Sequence, residues 1–142
     1  MANIVPDSFK TDLLGGVFDF DSGGSTFKLA LYTDISGFST SSTAYTTTNE
    51  VSSSGTNYTA GGNALTNNGV AVASNVGYVD FADLTFSSVT LTAVGALIYK
   101  DSSNEAVLVL DFGGSKTATN GDFVIQFPAA TSSDAIIRLG DA

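Results

Sequence analysis

The chain has no cysteine, no histidine, no tryptophan and two prolines, and charged residues fill 13% of its 142 positions. Each shortage removes a class of protein. Without cysteine there is no disulfide framework and no thiolate metal ligand, and cysteine usage gives no clue to the redox compartment. Without histidine the commonest general base and every Ser-His-Asp arrangement are missing. A zinc site would then rest on carboxylates alone, a poor donor set for that ion. The five bases, Lys10, Lys28, Lys100, Lys116 and Arg138, are scattered, and fourteen acids outweigh them to a net charge of −9. A surface with that balance repels phosphate backbones, so no nucleic-acid partner is expected. No apolar run approaches the ~20 residues of a membrane helix. The opening "MANIVPDSFK" lacks the basic start and apolar core of a secretory signal. A soluble chain with no membrane partner is the expectation.

Hydrophobic residues make up 43% of the sequence, too many for a disordered chain. The length suits one domain spanning 1–142, able to bury roughly 70% of the surface its unfolded form exposes. Residues 1–16 read as an N-terminal arm and a short helix. In "DSFKTDLLGG" Asp7 or Ser8 can cap the start, Phe9 and Leu13 lie one turn apart, and Gly15-Gly16 ends the helix.

Everything after Gly16 reads as strand. "TFKLALYT" alternates, with Phe27, Leu29 and Leu31 on one face and Lys28, Ala30 and Tyr32 on the other. Further short runs follow at 69–74, 78–86, 88–94, 95–100, 106–112, 122–127 and 135–140. Asn68-Gly69, "KDSSNE", "FGGSKTATNGD" and "PAATSSD" read as the turns between them. "IYKDSSNEAVLVL" is the clearest hairpin. The predicted fold is all-β: an antiparallel β-sandwich, jelly-roll or immunoglobulin-like, with a short N-terminal helix. Its core is expected from Phe27, Leu29, Leu31, Val79, Phe81, Leu84, Phe86, Leu91, Leu97, Ile98, Val107, Val109, Phe112, Val124, Phe127, Ile136 and Ile137.

No constellation in the sequence carries chemistry. "DFDSGGS" (19–25) starts like a calcium loop, but Gly23 holds the fifth ligand position and Ala30 the twelfth, where a bidentate Glu is needed. An acidic turn is the better reading. Asp80 with Asp83, or Glu105 with Asp111, could form a glycosidase pair only at a fixed separation across a cleft; solvated loop acids are the simpler assignment. Asn57-Tyr58-Thr59 matches a glycosylation acceptor by chance alone. Tyr45, Tyr58 and Tyr78 could stack on sugars, although such aromatics more often serve a sheet's core or interface. No catalytic residue, cofactor site or metal site is expected.

"YTTTNEVSSSGTNYTAGGNAL" (45–65) is the odd stretch. It carries one charge, Glu50, among Thr, Ser, Asn and Gly. A structureless loop of that length is uncommon in a compact domain, so one or two irregular strands are expected, near 45–48 and 58–60. Low charge lowers the cost of burial against a partner. Tyr45, Val51 and Tyr58, with Phe9 and Leu13 from the N-terminal segment, are the candidate contact residues.

"NEVSSSGTNYTAGGNAL", "DFADLTFSSVTLTAVGALIY", "AVLVLDFGGSKTATNGDF", "FPAATSSDAIIRL" and "FKTDLLGGVFDF…TFKLALYT" together resemble a family of small virion proteins encoded by tailed, often marine, bacteriophages. The resemblance covers nearly the whole chain and implies a structural protein with no catalytic residues to carry over. The role expected is that of a capsid decoration (cement) protein binding the major capsid protein. An acidic, catalytically empty β domain suits the outer capsid surface, and closed symmetry with bridging of several shell subunits makes a homo-oligomer, a trimer, the expectation. The alternative is a tail-associated carbohydrate- or receptor-binding module; a hydrolytic virion enzyme comes third.

Overall fold

The computed structural model describes residues 2–141. It holds one helix, α1 (Asp7–Leu14), and seven strands: β1 (Phe27–Tyr32), β2 (Asn63–Ala64), β3 (Asn67–Ala73), β4 (Val76–Phe81), β5 (Leu84–Lys100), β6 (Ala106–Ile125) and β7 (Ile137–Leu139). They form two antiparallel sheets, β2-β1-β5-β6 and β3-β4-β7, in the all-β, sandwich-like arrangement that the alternation predicts.

The helix is where the sequence places it, with two differences in detail. Pro6, not Asp7 or Ser8, stands at the N-cap, and no side chain bonds there; proline's fixed φ starts the helix without one. At the other end the left-handed residue is Gly16. Val17 N–H donates to Asp12 O at 2.9 Å and Gly16 N–H to Leu13 O at 3.2 Å. This is the paired closure that satisfies a helix's last carbonyls.

The core has two layers because the larger sheet is covered on both faces. β1 alternates as expected, yet both of its faces are buried apart from Lys28. Phe27, Leu29 and Leu31 face the main core with Phe9, Phe18, Phe20, Phe81 and Phe127. Phe20 stacks on Phe27 at 4.6 Å, and Phe81 meets Phe27 edge-on at 5.8 Å. Ala30 and Tyr32 face a second layer with Ile35, Phe38, Leu97, Tyr99 and Val109. That second layer explains how adjacent Leu97 and Ile98 can both be buried.

Several expected turns are strand interior. "FGGSKTATNGD" lies inside β6, and the run 78–86 divides between β4 and β5, where its end joins the runs 88–94 and 95–100 in one strand. The register of this long hairpin slips at four places, and Ser88, Asn120, Gly113 and Gly114 adopt positive φ along it. Asn68-Gly69 is likewise a bulge, between β3 and β4. Gly and Asn supply positive φ to a bulge as readily as to a turn. Val124 corrects the core prediction: it is 55% exposed, because Phe123, Ile125 and Phe127 take the inward positions of an alternation it falls between. Leu84, Phe112, Ile136 and Ile137 are only partly buried against the core.

Candidate functional site

The 45–65 stretch seals the outer edge of β1. Val51 N–H donates to Leu31 O, Thr33 N–H to Asn49 O, and Leu65 N–H to Phe27 O, at 2.8–2.9 Å. β2 pairs with Lys28 and Leu29 between them. Leu31 N–H would remain bare, but the Tyr58 hydroxyl accepts it at 3.0 Å. The expected strands at 45–48 and 58–60 reduce to bridges at Ala44 and Glu50 and to β2.

Glu50, the stretch's only charge, organises it. Its Oε1 accepts the Tyr58 hydroxyl at 2.7 Å and Gly61 N–H at 2.6 Å, and its Oε2 accepts the Tyr45 hydroxyl at 2.6 Å. Tyr99 donates its hydroxyl to Gly61 O at 2.6 Å, and its ring stacks on Tyr45 at 4.6 Å. Tyr32 donates to Thr46 O at 2.7 Å. A half-buried carboxylate with three donors is well satisfied. Burial, then the nearby negative charge, pushes the Tyr99 hydroxyl up to about 12. Burial is also the first cause of upward shifts at Tyr32, Tyr45 and Tyr58. Held neutral in this way across the ordinary pH range, the Tyr45 and Tyr58 hydroxyls donate to Glu50 and those of Tyr32 and Tyr99 to backbone carbonyls.

This arrangement corrects the expected contact residues. Val51 and Tyr58 are buried in the chain's own core, as is Phe9 among Phe18 and Phe20. Their apolar surface is already covered and unavailable to a partner. Tyr45 is half-buried against Tyr99. The structure brings Tyr45 and Tyr58 together through Glu50, while Phe9 and Leu13 belong to α1, which packs on the main core. Leu13, half-buried, lies at the border of an open surface.

That surface lies elsewhere. Six large apolar side chains are exposed among the described residues, and five of them converge on one face: Val5, Leu14 (79%), Val70 (55%), Val72 (73%) and Leu139 (62%). Two grooves of about 520 and 700 Å³ run over it and meet at Leu13, Leu14, Ile137 and Leu139. One is flanked by Val5, Lys10 and Arg138, the other by Phe18, Phe20, Val70, Val72 and Tyr78. The cross-strand register sets Val70, Val79 and Ile137 in one row and Val72, Gly77 and Leu139 in the next. The first row runs into the core; the second continues it into the open. Alternation in "GVAVAS" assigns Val70 and Val72 to one face, but no sequence signal says that nothing covers that face.

The acids considered for chemistry are held locally. Asp80 accepts from the Asn68 side chain at 2.7 Å, Asp83 from Phe127 N–H at 2.8 Å, Glu105 from the Ser103 hydroxyl, and Asp111 from Gly113 N–H at 2.9 Å. The Ser103 bond lowers the Glu105 carboxyl, and the Gly113 bond lowers that of Asp111. "DFDSGGS" is a closed turn: Asp21 N–H donates to Asp19 Oδ1 and Ser25 N–H to Asp19 O. Gly24 packs so tightly on Asp19 that a Cβ there would sit 2.6 Å from its carbonyl oxygen. Among the described residues no three acids gather as a metal-binding set, and no helix is long and apolar enough to cross a membrane. Comparison of the chain with protein-family models, curated proteins and solved structures finds no match in any of the three.

Proposed function

We propose that this protein is a virion structural protein of a tailed bacteriophage, acting as a capsid decoration (cement) protein that binds the major capsid protein on the outer surface of the shell. One observation carries the reading: the exposed apolar side chains are concentrated on a single face beside α1 and β7. Contiguous apolar surface of that kind marks a protein–protein contact. Leu14 and Leu139 are its most prominent points, and its rim carries both signs, Lys10 (paired with Asp7) and Arg138 along one groove and Asp19 and Asp21 along the other. The acidic remainder of the molecule suits an exterior position, away from packaged DNA.

A tail-associated glycan-binding module remains the competing reading. It relied on Tyr45, Tyr58 and Tyr78, and the first two are engaged with Glu50. Immunogold labelling of intact virions discriminates between the two. Gold over the head surface is the expected result; gold on the tail would overturn the cement assignment in favour of its rival.

A further inference from the structure

The sheet edges are treated unequally. β1 is closed by residues 49–51 and by β2. The outer edge of β6 receives Ile4, which exchanges two 2.9 Å bonds with Val109, and a bridge between Ala44 and Glu105. Farther along, β6 carries Asp111, bulge glycines, Lys116 and Asp122, devices that discourage strand addition. β7 is three residues long and bears Arg138. β3 has little of this. Its seven residues, Asn-Asn-Gly-Val-Ala-Val-Ala, include no charge and no proline, and its one bulge lies at the start, between Asn67 and Gly69.

The hairpin register shows which β3 groups are open. Ser74 and Asn75 both have positive φ, forming a two-residue turn of the type that closes tight hairpins. Ala73 and Val76 then form the bonded pair nearest the turn, and alternation directs the N–H and C=O groups of Val72 and Val70 outward.

We propose that β3 pairs antiparallel with β3 of a second copy about a two-fold axis at Ala71, joining the two three-stranded sheets into one of six. This proposal stands independently of the capsid reading. Residues 69–73 are self-complementary under that axis: Val70 faces the partner's Val72, Val72 faces the partner's Val70, and Ala71 faces its own counterpart. The outward groups of Val70 and Val72 find partners without any side chain moving, as a two-fold interface requires. Charge favours the same edge. Copies carrying −9 each repel over most of their surface, whereas β3 brings no charge to the contact. The geometry is two-fold, so it predicts a dimer in place of the expected trimer.

Sedimentation equilibrium of the full chain tests the mass, and amide exchange at increasing protein concentration tests the edge. The expected result is twice the 14.5 kDa chain mass, with Val70 and Val72 amides becoming protected as the dimer fills. Val72→Pro removes one pairing N–H and should return the mass to one chain; Val72→Thr keeps that N–H and should remain dimeric. If Val72→Pro does not fold, the exchange measurement on the native chain still decides. A monomer at every concentration, a trimer, or a dimer whose Val70 and Val72 amides stay unprotected would overturn the proposal.

Discussion

Glu50 shows how much one residue can decide in a chain with so few charges. It draws the hydroxyls of Tyr45 and Tyr58 and the amide of Gly61 to a single carboxylate, and the stretch around it closes on β1. Tyr58→Phe removes both a donor to Glu50 and the acceptor of Leu31 N–H. Leaving a buried donor unpaired costs about 1–3 kcal/mol, so chemical denaturation should show a loss of that size. A loss below about 0.5 kcal/mol, typical of a neutral surface change, would mean that the hydroxyl is dispensable. The raised tyrosine values also make a statement about pH. A hydroxyl whose folded value lies above its unfolded value of 10.0 stabilises the fold fully below that pH. The contribution is then lost as pH rises through the folded value, about 12 for Tyr99. The thermal midpoint should therefore show no tyrosine-linked fall until about pH 10, and then decline. Complete tyrosine ionisation by about pH 11 in a chain that stays folded would contradict this, since that is the behaviour of free tyrosine.

At the scale of elements, the run 78–86 merged the end of β4 with the start of β5, but β1, α1 and the turn joining β5 to β6 were legible because each has a clear period or a paired turn. Residues 45–65 were not, since their hydrogen bonds go to β1 and to Glu50, over distances that local pattern does not report. The same limit misassigned Val51 and Tyr58: an apolar residue in a polar stretch looks the same whether it meets a partner or its own core. Positive-φ residues misled in another way, marking bulges within long strands where turns were expected. Three substitutions test the element boundaries. Val109→Ala, in the second core layer, should cost about 1–3 kcal/mol, while Val124→Ala should stay within about 0.5 kcal/mol. Gly62→Ala should cost about 3 kcal/mol or more, because Gly62 has φ 76° and a Cβ would lie 1.8 Å from Leu29 O. Denaturant midpoints of the three variants check the ordering, and a costly Val124→Ala would mean that the β6 face is assigned backwards.

For the whole molecule, the division of surfaces matters most. Residues 45–65 and the N-terminal arm close edges of the larger sheet, leaving the α1–β7 face and the β3 edge open. A lattice-binding protein with two such surfaces can hold a shell by several weak contacts, each strengthened by the high effective concentration that the others create. The surface proposed for contact with the shell differs from the one the sequence suggested: Leu14 and Leu139 replace Val51 and Tyr58. The most direct measurement is co-sedimentation of the purified protein with emptied, undecorated capsids, comparing the native chain with a Leu14→Ser/Leu139→Ser variant. Both side chains are largely exposed, so the variant should fold with an unchanged circular dichroism spectrum. The predicted result is that the native chain sediments with the capsids and the folded variant stays in solution. A native chain that does not bind capsids, or a variant that binds them equally well, would contradict the account.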